Sequence, residues 1–187
     1  MNNIVMIGMP GCGKSTVGVV LAKVLGYQFI DADLLIQERE NRLLSEIIRE
    51  EGPGGFNSIE NAVISSIQAE KAVIATGGSA VYGKEAMAHM KETGVIVYIR
   101  LPLSELQNRL GDLAERGISM DAGQTLQDLY EERAPLYEAY ADFIVDPEGL
   151  SIWDTATMIR NALKRSVNAS TPDLVEGGIE QNEGHCI

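Results

Sequence analysis

Cysteine is scarce: the 187 residues hold two, Cys12 and Cys186, near opposite ends and with no paired spacing. Neither a disulfide framework nor a zinc site is therefore indicated, and a reducing compartment fits. Basic residues are few as well, 15 Lys and Arg against 27 Asp and Glu, for a net charge of −12. A surface of that sign repels phosphate backbones and acidic headgroups, so neither nucleic acid nor a membrane is an expected partner. No apolar run approaches the roughly 18 residues of a membrane span, and the opening MNNIVMIGMP lacks the basic head and cleavage site of a signal peptide. The expected location is the cytoplasm. Repeats of solenoid period and Pro- or Ser-rich linkers are missing too, so residues 1–165 read as one domain.

What is present is an ordinary globular composition, 45% hydrophobic and 22% charged, in a chain long enough to bury its own core. Short continuous apolar runs predict five parallel strands buried on both faces: Ile4 to Ile7, Tyr27 to Ile30, Ala72 to Ala75, Val95 to Ile99 and Phe143 to Val145. Between them, Val17, Val20, Leu21, Val24 and Leu25 repeat at helical spacing and stop at Gly26. Ser104 with Gln107, and Ser151 with Asp154, have the spacing of reciprocal helix caps. Strands alternating with helices imply a doubly wound α/β sheet that binds ligands beyond the carboxyl ends of its strands. Trp153 and Met158, in the last helix, are expected to be core or packing residues, and His89 to be solvated or locally satisfied. From Ser166 the chain turns polar, with four acids and no Lys or Arg, and reads as a flexible acidic tail over 166–187.

Directly after the first run stands Gly8-Met9-Pro10-Gly11-Cys12-Gly13-Lys14-Ser15-Thr16, a complete G-x-x-x-x-G-K-[ST] phosphate loop opening a helix. Its glycines let successive N–H groups face phosphate oxygens, Lys14 reaches the β- and γ-phosphates of ATP, and Ser15 can ligate Mg²⁺. Cys12 needs only to be small. The second run ends Phe29-Ile30-Asp31-Ala32-Asp33. If the strand continues, both carboxylates face one side, where one could position magnesium through water and the other accept a proton from a substrate hydroxyl. One of them could equally cap the helix from Leu34 onward.

After the third run, Ala75-Thr76-Gly77-Gly78-Ser79 allows a ligand close to the backbone, although a plain turn accounts for it nearly as well. Arg109 and Arg116 flank a Gly-bounded stretch that could close over a triphosphate, or they could be ordinary surface arginines. Arg133 in Glu132-Arg133-Ala134-Pro135-Leu136-Tyr137 stands early in a helical segment, where a guanidinium can grip a carboxylate by two parallel hydrogen bonds.

Taken in this order and spacing, GMPGCGKST, FIDAD, ATGG and ERAPLY resemble the shikimate kinase family, small P-loop enzymes of the nucleoside-monophosphate-kinase type, over about residues 3 to 165. The resemblance implies a three-layer P-loop kinase fold, with a five-stranded parallel sheet flanked by helices and a lid near 110–124. It implies transfer of the ATP γ-phosphate to the 3-hydroxyl of shikimate by a monomer. By position, Gly11, Cys12, Gly13, Lys14, Ser15 and Thr16 would cradle the nucleotide, and Ser15 and Asp31 would hold Mg²⁺ directly and through water. Asp33 would bind and activate the hydroxyl, Gly78 would offer its N–H to the substrate, and Arg133 would bind the substrate carboxylate. Arg109 would pack on adenine and Arg116 would reach the γ-phosphate.

The acceptor half departs from the pattern. Where the family usually has Gly-Glu-x-x-Phe-Arg-x-x-Glu, this chain has Gly52-Pro53-Gly54-Gly55-Phe56-Asn57-Ser58-Ile59-Glu60, so a carboxylate-binding arginine has become Asn57. Losing one charge-assisted partner costs about 1.5–3 kcal/mol. The glycine run ends in Ser79, and the lid's usual Arg-Pro-Leu is Arg116-Gly117-Ile118. Two other readings are therefore carried forward: a paralogous kinase for another small polyhydroxy acid or polyol, and a nucleotide-binding regulatory module without transfer activity.

Overall fold

The computed structural model describes residues 3–110, 118–121 and 123–169, with side chains through residue 165. Its frame is one sheet of five parallel strands, β1 (Asn3–Ile7), β2 (Gln28–Asp31), β3 (Ala72–Ala75), β4 (Gly94–Ile99) and β5 (Phe143–Val145), in the order β2-β3-β1-β4-β5. All five fall within a residue or two of the apolar runs. Ile4 of β1 stands between Val73 and Val95, so the apolar centre of each inner strand lies in register with its neighbours.

Burial on both faces holds for β1 and β3, where every residue is buried, and for the last four residues of β4. It fails for β2 and β5: Gln28 and Ile144 are exposed, because an edge strand has a neighbour on one side only and is incompletely covered.

The described helices are α1 (Lys14–Leu25), α2 (Ala32–Glu40), α3 (Leu44–Ser65), α4 (Lys84–Thr93), α5 (Leu103–Leu110), α6 (Leu126–Tyr140) and α7 (Ile152–Ala169). Helix α1 packs against α7, and α3 against α4. Gly26 ends α1 as expected, its N–H bonded to the carbonyls of Ala22 and Lys23. Helix α3 is two helical pieces meeting at Gly52, whose φ of 69° and ψ of 174° break the ladder just before Pro53. The piece after that kink carries Asn57 and Glu60 toward the centre of the molecule.

Ser151 caps α7 as expected: its hydroxyl donates to Asp154 Oδ2 at 2.6 Å and accepts the Asp154 N–H at 3.1 Å. Ser104 does not cap α5. The helix starts one residue earlier, with the Pro102 carbonyl accepting the N–H groups of Glu105 and Leu106, so Ser104 lies inside the first turn. Trp153 and Met158 are not core residues. They are 59% and 40% exposed, since α7 turns Thr155, Ala156, Ile159 and Leu163 inward and leaves those two on its other face. Helical backbone continues through Ala169, four residues into the stretch expected to be a tail, because extending a packed helix costs little once it has formed. Residues 170–187 lie outside the described part. Among the described residues no helix is long and apolar enough to cross a membrane.

Candidate active site

Three chain crossings end on one side of the sheet, and a cavity of about 500 Å³ opens there. The first wall is the loop between β1 and α1. Gly11 and Gly13 have φ of 76° and 101°, a path that side chains with a Cβ resist, and this turns the loop around its own centre. Lys14 occupies that centre, buried, its Nζ donating to the carbonyls of Gly8 at 2.8 Å and Met9 at 2.9 Å. Cys12 is buried too, and its N–H closes the turn onto Met9 O at 3.2 Å. Ser15 and Thr16, both exposed, line the cavity with Gly11 and Gly13.

The second wall carries the acidic pair, arranged differently from a continuing strand. Strand β2 stops at Asp31, and Asp31 Oδ1 accepts the Asp33 N–H at 3.0 Å as the cap of α2. The cap reading therefore describes Asp31, and the change from strand to helix turns Asp33 into the cavity. Burial raises the Asp33 carboxyl above its ordinary range, the charge of Asp31 adds to this, and Lys14 opposes it. A carboxylate so placed is a stronger base than one in water.

The third wall is α6 and the turn after β3. Arg133 lies at the middle of α6, not near its start, because the helix begins at Leu126 behind a Thr125–Asp128 capping box. It is 1% exposed, donates from Nε to Tyr82 Oη at 3.0 Å and from Nη2 to the Ser119 carbonyl, and lies 5.0 Å over the Tyr82 ring. A fully buried guanidinium fixed at two points still faces the cavity, the arrangement expected of an anion receptor. Tyr137, one turn further on, donates to Gly78 O at 2.6 Å and holds the glycine turn against the helix. Gly78 and Ser79 line the cavity, so this segment is more than a plain turn.

Asn57 is held beside the cavity instead of in its lining. Its Oδ1 accepts from Ser119 Oγ at 2.9 Å, and its Nδ2 has no partner among the described residues. Arg109 points elsewhere: in the last turn of α5 it lies 3.7 Å from Glu105 with its side chain 44% exposed, while its neighbour Leu110 lines the cavity. Arg116 and most of the segment expected to form the lid, residues 111–117 and 122, lie outside the described residues. His89 is locally satisfied, a ring nitrogen 2.7 Å from Ile67 O.

One residue at the site was not singled out from the sequence. Glu60, 1% exposed on α3, accepts from Ser79 Oγ at 2.6 Å through Oε2, while Oε1 has no hydrogen-bond partner among the described residues. Burial pushes this carboxyl up to about 7, and nearby Asp33 adds to the effect, while the Ser79 hydrogen bond and the charges of Arg133 and Lys14 oppose it. Its only trace in the sequence is its place as the last residue of the family stretch that holds Asn57.

Among the described residues no three His, Cys, Asp or Glu side chains gather as an all-protein metal cage. Magnesium beside a nucleotide needs none, since phosphates and water fill most of its octahedron. The exposed Ser15 hydroxyl and the second carboxylate oxygen of Asp31, which has no described partner, fit that sparse donor set.

A phosphate loop at the carboxyl end of β1, a half-buried carboxylate and a buried guanidinium around one cavity define a P-loop kinase of small molecules. The family model described as shikimate kinase matches residues 10–164, and the chain belongs to that family. It is 37% identical over 174 residues to the shikimate kinase of Thermodesulfovibrio yellowstonii, covering 91% of this chain and all of that one. It is 32% identical over 151 residues to shikimate kinase 2 of Salmonella typhimurium, covering 78% of this chain and 83% of the relative. Among solved structures, shikimate kinase from Acinetobacter baumannii in complex with shikimate superposes with a TM-score of 0.81 at 29% identity, over 89% of this chain and 94% of that one.

Proposed function

We propose that the protein is an ATP-dependent phosphotransferase that converts shikimate to shikimate 3-phosphate. The observation that carries this reading is that Lys14, Asp33 and Arg133, one from each wall, line the same cavity. ATP lies with its phosphates along Gly11, Cys12, Gly13, Lys14, Ser15 and Thr16, and Lys14 exchanges its loop carbonyls for β- and γ-phosphate oxygens. Arg133 takes the acceptor carboxylate and Gly78 offers its N–H to the acceptor, which turns the 3-hydroxyl toward Asp33.

As the hydroxyl oxygen attacks the γ-phosphorus, its proton passes to Asp33. The new O–P bond forms while the bond to the β,γ-bridging oxygen breaks, and ADP leaves. Ser15 directly and Asp31 through water are the residues to hold Mg²⁺, which when bound neutralises charge between the β- and γ-phosphates. Arg109 is assigned to the adenine and Arg116 to the γ-phosphate. Asn57 is assigned to the acceptor side, through its amide N–H₂. The protein acts as a monomer in the cytoplasm.

The test is a coupled ADP-release assay with Mg·ATP and shikimate, a panel of small hydroxy acids and polyols, or no acceptor. Turnover on shikimate at about 1–10³ s⁻¹ is expected. Silence on shikimate with turnover on another acceptor would establish the second reading, a related hydroxy-acid kinase, which Asn57 favours by leaving one guanidinium where the family pattern has two.

A further inference from the structure

The mechanism above makes no use of Glu60, yet this carboxyl lies against its parts. Among the described residues Oε1, which is buried, has no hydrogen-bond partner, and Oε2 has only the Ser79 hydroxyl. Among the described residues the charged groups that face it are Asp33 from α2, Lys14 from α1 and Arg133 from α6, and neither cation is hydrogen-bonded to it. Lys14 donates to the Gly8 and Met9 carbonyls, and Arg133 to Tyr82 and Ser119. A Cβ built on Gly77 would run into Glu60 Oε1 and stand 3.0 Å from Asp33 Oδ1, so the two carboxyls back onto the same glycine. A fully buried carboxylate beside a half-buried one, with no intervening cation, is costly, and one proton removes most of the conflict. Asp33, Gly77 and Ser79 all line the cavity, so an anionic acceptor held by Arg133 meets the charge of Glu60 through them.

We propose that Glu60 is a positioning residue for acceptor binding: its neutral carboxyl, held by Ser79, admits an anionic acceptor beside Asp33, and its ionised form opposes one. This rests on the acceptor being shikimate or a similar hydroxy acid. Because burial lifts the carboxyl to about 7, with Asp33 raising it further and Ser79, Arg133 and Lys14 pulling it down, the two forms exchange in the neutral range. Binding of the anion then takes up a proton, and affinity declines as pH rises.

The experiment is the pH dependence of KM for shikimate and of kcat at saturating Mg·ATP, from about pH 6 to 8.5, a range in which the acceptor carboxylate stays ionised. In the unmodified protein KM should be flat at the acid end and climb above neutrality, by at most about tenfold per pH unit, the limit for one proton. Glu60→Gln, fixed in the neutral form, should make KM flat throughout. Ser79→Ala removes a hydrogen bond that favours the ionised form, so the climb should move to higher pH. A merely structural carboxyl would alter KM without moving a midpoint. If Glu60→Gln does not melt cooperatively, the midpoint of Ser79→Ala decides alone. A flat KM in the unmodified protein, or a climb unchanged in Ser79→Ala, overturns the proposal. No turnover on shikimate at any pH removes the acceptor assignment, and this proposal with it.

Discussion

Asp33 is the residue whose loss separates chemistry from binding. In the proposed reaction it takes the acceptor proton without holding the phosphates, so Asp33→Ala should lower kcat by about 10²–10⁴-fold while titration calorimetry finds ATP affinity nearly unchanged. Asn57 gives the opposite sign. Asn57→Arg restores a second guanidinium on the acceptor side and should tighten shikimate by about 1.5–3 kcal/mol, read as a tenfold or greater fall in KM. No change would mean that Ser119, which donates to Asn57, has closed the route to the carboxylate. A Cβ at Gly77 would overlap the end of the Glu60 side chain, so a side chain there requires that carboxyl to move. Lys14, Asp33 and Arg133 were legible from motif and order alone. Glu60 was not, since a glutamate at a helical position ordinarily faces water, and only the packing of α3 against the turn after β3 buries it.

At the scale of elements, local chemistry set most boundaries and tertiary packing set their burial. The Ser151 cap is one that local chemistry set: both of its hydrogen bonds are made, and it is remote from the cavity. Ser151→Ala should cost about 1 kcal/mol in urea unfolding and leave kcat and KM alone. Ser104 has a similar spacing but fails as a cap, because Pro102 already starts the helix. The kink at Gly52 was invisible as a kink, although its residues were in plain view. Gly-Pro punctuates a sequence without saying whether the chain turns away or resumes the helix at a new angle. Here it resumes, and the resumed piece brings Asn57 and Glu60 to the site.

For the whole molecule, ligand and proton binding enter the folding equilibrium. Mg·ATP bound to the native state alone should raise stability by about 2.7 kcal/mol at a hundred times its Kd, seen as a rise in Tm. Chelating the metal should remove most of that rise if Ser15 and Asp31 hold magnesium. Glu60 adds a pH dependence of definite sign. Its carboxyl in the folded chain, at about 7, lies above the ordinary 4.5, so the unfolded chain loses its proton first. Its contribution to stability is complete below about pH 4.5 and is lost as pH rises through 7. Burial raises Asp33 as well, which acts in the same direction. Tm should therefore decline between about pH 5 and 8, and less steeply in Glu60→Gln.

The sequence by itself determined the phosphate loop and the five strands in their succession with helices. Each of these follows from short-range pattern: apolar runs, glycine spacing and one motif. Tertiary structure alone decided that Asp31 caps a helix while Asp33 faces the cavity, that Arg133 is fixed by Tyr82 and Ser119, that Trp153 and Met158 face outward, and that Glu60 is dry. These depend on which surfaces of distant segments meet. Burial and unpaired charge are properties of that meeting, and no local stretch of the chain encodes them.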